Sequence, residues 1–109
     1  MKRKSVIRFL LTLGLFLPII AAPLLRAHCD GMDGPVVKAA QKALETGEVR
    51  LVLIWVHKQD EEAVIKAFEK TLSVRKLSEQ AAELADMYFF ETLVRLHRAG
   101  EGAPYTGLK

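Results

Sequence analysis

Most of the coordination chemistry in this 109-residue chain sits in one short stretch, Ala27-His28-Cys29-Asp30-Gly31-Met32-Asp33-Gly34-Pro35. Cys29 is the only cysteine, and His28 is one of three histidines. If the chain is cut between Ala27 and His28, two consecutive residues carry an amine, an imidazole, an amide nitrogen and a thiolate. Nitrogen-rich, roughly planar donor sets suit Cu(II) or Ni(II), and sulfur with imidazole also suits Zn(II). Binding needs deprotonated ligands, and an α-amino group loses its proton closer to neutral pH than a lysine does. Without a metal, the same residues are a tail with a thiol open to oxidation. A lone cysteine forms no internal disulfide, which leaves a reactive thiol, a metal ligand or half of an intermolecular bridge.

Further donors lie downstream. His97 falls in the last helical pattern, one turn after Leu93. A single helical histidine is more often a core-edge residue than a ligand. It joins the candidates because an amino terminus folded back on this helix would bring Asp30 and Asp33 towards His97 and Glu91. The candidate metal residues are therefore His28, Cys29, Asp30, Asp33 and His97. His57 reads as a loop residue, and Arg95 and Arg98 read with Glu91 as a solvated charged face. No catalytic residue stands out: the chain has no nucleophile–base motif, glycine-rich phosphate loop, HExxH or CxxC.

The segment before His28 has the layout of a secretory signal. Lys2, Arg3, Lys4 and Arg8 are followed by an apolar stretch from Phe9 to Ile20 and a shorter-chained stretch ending Leu25-Arg26-Ala27. Residues 1–27 are thus expected to be a cleaved helical signal and 28–109 the mature domain, periplasmic or secreted. The alternative is an uncleaved anchor. Phe9 to Leu25 is near the lower limit of roughly 17–25 residues for a span, and Pro18 and Pro23 suit the end of a signal better. Cleavage removes Lys2, Arg3, Lys4, Arg8 and Arg26 and no acid, so the formal charge of +3 becomes −2. The basic character belongs to the signal, and a nucleic-acid partner is not expected. A protein partner is left open, and a membrane contact is expected only through an uncut signal.

The mature part reads as all-α, a small bundle of three to four helices with short connections. Asp33-Gly34-Pro35 opens the first helix, with proline at the first position and Asp33 or Gly34 as cap. Val36, Val37, Ala39, Ala40, Ala43 and Leu44 form its apolar face, and Gly47 ends it. The apolar run Leu51–Val56 fits a buried strand or helix. With no second strand to pair it, a short helix from about Val49 to Val56 is expected. Asp60 is expected to cap the next helix, with Glu61 and Glu62 at its positive end, running to about Lys76. Ser78 caps the last helix, about 30 Å long and ending at Gly100. Its expected core row is Leu84, Tyr88, Thr92 and Leu96, widened by Ala81, Ala85, Phe89 and Val94. Trp55 and the Tyr88-Phe89-Phe90 triplet are expected in the core, but the triplet spans most of a turn, so one member should face outward or into a partner. Residues 100–109 read as loop.

Two resemblances follow. His-Cys-Asp at a mature start, with glycine six residues after the histidine and a helical bundle beyond, resembles the nickel superoxide dismutase family. There the sequence His-Cys-Asp-x-x-Cys-Gly wraps the metal as a hook. His28, Cys29, Asp30 and Gly34 match, which makes residues 28–34 the hook. The resemblance implies the first residue's amine and imidazole and the second residue's amide and thiolate as ligands. The family's second thiolate is replaced by Asp33, which removes a soft ligand that nickel redox chemistry uses. A superoxide dismutase-like activity therefore carries little weight. Over much more of the chain, His-Cys-Asp, Asp-Gly-Pro-Val-Val, Ala-Leu-Glu-Thr-Gly and the run from Ala85 to Lys109 resemble a family of small exported bacterial proteins with no established activity. Together these readings point to an exported helical protein that binds Ni, Cu or Zn through its start. The alternative is a non-catalytic envelope protein that binds a partner.

Overall fold

The structure is a computed structural model and describes residues 31–109. Among these residues it is all-α, with four helices and no strand: α1 (Pro35–Thr46), α2 (Arg50–Leu53), α3 (Glu61–Val74) and α4 (Glu79–Gly100), with a 3-10 turn at Lys58–Asp60. The expected fold class holds. The proposed signal at 1–27 and the residues His28, Cys29 and Asp30 lie outside the described residues.

The turn before α1 closes with the Gly34 amide donating to the Gly31 carbonyl at 2.9 Å. Gly34 is the cap, Pro35 takes the first helical position, and no side chain caps this end. Asp33 is thus not the cap, and it stays exposed. Val36, Val37, Ala40, Ala43 and Leu44 are buried as the helical spacing requires. Gly47 ends α1 at φ 76°, in the left-handed region that a side chain disfavours.

The second helix is half its expected length. Beyond Leu53 the backbone changes to i→i+3 bonds, Trp55 N–H to the Val52 carbonyl at 3.0 Å and Val56 N–H to Leu53 at 3.3 Å. The Trp55 carbonyl accepts from the His97 ring. Val52 is fully buried, but Ile54 is 80% exposed, so this apolar run has one core-facing side. Asp60 makes no side-chain cap to α3. The 3-10 turn supplies that entry instead, with Asp60 N–H donating to the His57 carbonyl at 2.9 Å. Ser78 does cap α4, its Oγ accepting from Ala81 N–H at 3.0 Å.

α3 and α4 form a helical hairpin through residues 75–78, and α1 and α2 close the core. The buried face of α4 is Ala85, Phe89, Phe90, Leu93, Val94, His97 and Arg98. Of the expected core positions, Ala85, Phe89 and Val94 are buried, but Leu84 and Tyr88 are 75% and 47% exposed, and Thr92 and Leu96 are partly buried, with Leu96 packed against the core. The two rows are neighbours on the helix. The aromatic contact selects between them: Phe89 packs on Phe68 of α3 with ring centroids 5.5 Å apart. Of the Tyr88-Phe89-Phe90 triplet, Tyr88 is the one that faces outward.

Arg75 ties three helices together. Its Nε and Nη2 donate to the two Asp86 carboxylate oxygens at 3.0 and 3.2 Å, and its Nη1 to the Leu44 carbonyl at 3.3 Å near the end of α1. The hydrogen bond to Asp86 raises the Arg75 pKa above its ordinary value against the opposing effect of burial. A raised pKa on a cation stabilises the fold at all pH values below the unfolded pKa. It is lost only in strongly alkaline solution, so this clamp is insensitive to pH in the neutral range. Asp86→Ala removes a bidentate, partly buried pair and a helix-end contact held by the same guanidinium. It is expected to cost about 1–3 kcal/mol, read as a lower urea midpoint with an unchanged slope.

Residues 101–109 carry no regular structure but lie on the core. The Ala103 amide donates to the Arg98 carbonyl at 2.9 Å, and Tyr105 and Leu108 pack against the hydrophobic cluster. Tyr105 OH reaches Glu91 at 3.3 Å. Arg98, expected in solvent, is only 8% exposed, since this tail covers it and its Nη2 faces the Pro104 carbonyl at 3.5 Å.

Candidate functional site

Three features of the sequence converge at the C-terminal end of α4: the break after α2, the turn leading to α3, and a helix end with a histidine one turn before a glutamate. They form an open cleft of about 360 Å³ lined by Ile54, Trp55, Val56, His57, His97, Gly100 and Glu101.

His97 is its centre. The side chain is about nine-tenths buried, and Nδ1 lies 2.7 Å from the Trp55 carbonyl. A carbonyl only accepts, so Nδ1 carries a proton and donates it. This fixes the ring orientation and leaves Nε2 as the functional nitrogen. Nε2 lies 2.8 Å from Glu101 Oε1. The pair is within ion-pair distance but forms no hydrogen bond, so Nε2 has no hydrogen-bond partner. Nε2 can therefore present a lone pair to a cation shared with the carboxylate. The Trp55 ring meets the imidazole edge-on, at 5.6 Å and 89°. Its own Nε1 is buried without a hydrogen-bond partner. Two unsatisfied nitrogens in one cleft are uncommon, because buried polar groups are normally paired.

His57 forms the opposite wall. A methyl group on Gly100 would stand 2.5 Å from His57 Cδ2, so the glycine is required for the imidazole to lie against α4. Gly100 was expected only as a helix stop; it is the last helical residue, and Glu101 takes the cap position. Alanine at this position gains up to about 1 kcal/mol of helix propensity but displaces the ring. Since His57 is exposed, the ring can swing out. Gly100→Ala is expected to change stability by less than about 1 kcal/mol while moving the His57 ring resonances in an NMR spectrum. In a His57→Ala background the same change should become plainly stabilising.

The sequence-derived donors are distributed unevenly. His97 is in the cleft, Asp33 is exposed beside the cap of α1, and Glu91 is engaged by Tyr105. Among the described residues, no group of three or more His, Cys, Asp or Glu side chains could hold a metal ion. Glu101 and Trp55 were missed as site residues. The i, i+4 spacing of His97 and Glu101 was available as a signal, since such residues meet on one helix face. The Trp55 carbonyl contact spans 42 residues and had no local signature.

Comparison with curated proteins and with solved structures finds no match. A family model does match, over residues 33–109, and covers α1 to α4, the cleft and the tail. The chain belongs to this family, DUF6448, a family of unknown function.

Proposed function

We propose that this is an exported, non-catalytic metal-binding protein. In this reading, cleavage after Ala27 frees His28-Cys29 to hold a transition metal, with His97 and Glu101 completing the donor set. The observation that carries it is the state of His97: ring fixed through Nδ1–H to a backbone carbonyl, Nε2 unsatisfied, and a carboxylate 2.8 Å away. Fixing one ring nitrogen with a carbonyl is how proteins commonly orient a metal-binding histidine.

Two donors are too few for a tight site, and the described residues supply no third at this point. His28 and Cys29 would add amine, imidazole, amide and thiolate. Asp30 and Asp33 are the nearest further carboxylates in sequence. The missing second thiolate at Asp33 argues for binding or delivery of the metal and not for superoxide disproportionation. The test is metal affinity, by competition titration with Cu(II), Ni(II) and Zn(II), of the processed protein and its His97→Ala and Glu101→Gln variants. Each variant is expected to bind at least about 10-fold more weakly. Unchanged affinity in both removes the cleft from the site and leaves binding, if present, to the amino terminus alone.

A further inference from the structure

The outer edge of α4 that was expected in the core borders a groove. Its apolar lining, between α3 and α4, includes Ala67, Val74, Leu84, Tyr88 and Leu96, in two recesses of about 450 and 290 Å³ that share Lys70 and Tyr88. Leu84 is 75% exposed and Tyr88 47%, so the apolar surface is open to solvent. The charged residues lining it are Lys66, Lys70 and Arg95, with no acidic residue in either recess. Lys66 has an exposed partner in Glu62 at 3.4 Å. Among the described residues, Lys70 and Arg95 form no ion pair.

We propose that this groove docks one acidic amphipathic helix of a partner protein. A groove between two helices accepts a third, whose apolar residues at i, i+3 or i+4, and i+7 settle on its apolar lining. Cations on both rims, Lys66 and Lys70 on α3 and Arg95 on α4, match carboxylates flanking that apolar stripe and repel a basic helix. The site is separate from the His97 cleft, so metal binding and docking are independent properties.

The probe is a designed helical peptide with leucines at i, i+4 and i+7, flanked by glutamates, titrated into the ¹⁵N-labelled protein. The same peptide with lysines in place of the glutamates is the control. The expected result is that the glutamate peptide shifts amides of residues 66–74 and 84–96, more weakly at high salt, and the lysine peptide does not. Lys70→Glu and Arg95→Glu lie on exposed positions and should keep the fold, shown by an unchanged circular dichroism spectrum. Together they should weaken binding at least about 10-fold. The proposal is overturned if the peptides bind equally or not at all. It is also overturned if the shifts map elsewhere, if the protein dimerises through this face at micromolar concentration, or if vesicles of anionic phospholipid compete fully for it.

Discussion

Phe89→Ala is expected to remove a large share of the protein's folding stability at 25 °C. Phe89 is fully buried at the centre of α4 and packs on Phe68 at 5.5 Å. Removing such a ring loses its transfer free energy and leaves a cavity, at a typical cost of about 3–5 kcal/mol. A domain of this size has a total stability of roughly 4–12 kcal/mol. The substitution therefore takes a large share of the margin, and all of it at the lower end. Chemical denaturation of Phe89→Ala beside Tyr88→Ala reads the difference. Tyr88 is nearly half exposed on the outer edge, and its loss should cost well under half as much. Equal costs would mean that the core face of α4 has been misassigned.

The largest functional effect is expected at Cys29. Cys29→Ser removes the only thiolate in the chain and leaves the amine and imidazole of His28 in place. Metal affinity should fall by more than the roughly 10–100-fold typical of losing an outer-shell partner. One residue added before His28 should produce a loss of similar size, because it turns a basic amine into an amide nitrogen. Asp33→Cys acts in the opposite direction. It restores a second soft ligand at the position where the nickel enzymes carry one, and should tighten binding of nickel above that of the natural chain. These outcomes are read by competition titration at neutral pH. If Cys29→Ser and the extended start bind as the natural chain does, the amino terminus is not the site, and partner binding becomes the leading reading.

Helix identity was legible in this sequence because its signals are local. Pro35 and Gly47 bracket α1, and Ser78 opens α4, through chemistry confined to one turn each. The buried stripe of α1 follows directly from helical spacing. The face of α4 was not legible in the same way. Leu84 is as apolar as Ala85 and Tyr88 is an aromatic beside Phe89, so it is the packing of α3, with Phe68 on Phe89, that marks which row is covered. The segment after α2 shows the same limit, since the Trp55 carbonyl meets the His97 ring 42 residues away. The site was half visible. The histidines and the lone cysteine stand out by type as candidate donors. The cleft, in contrast, depends on Trp55, Gly100 and Glu101, which gain their roles only when α4 meets the segment after α2. Arg98 shows the same limit: a helical arginine next to other charges reads as solvated until a tail is known to cover it.

The central claim is that a processed amino terminus and the His97 cleft hold one metal ion. Its most direct test is the mass of the protein purified from cells without chelator, measured first native and then denatured. The account predicts a chain beginning at His28, with one copper, nickel or zinc ion bound in the native spectrum and lost on denaturation. A chain beginning at any other residue, or a correctly processed chain that carries no metal even after growth with all three ions supplied, would contradict it.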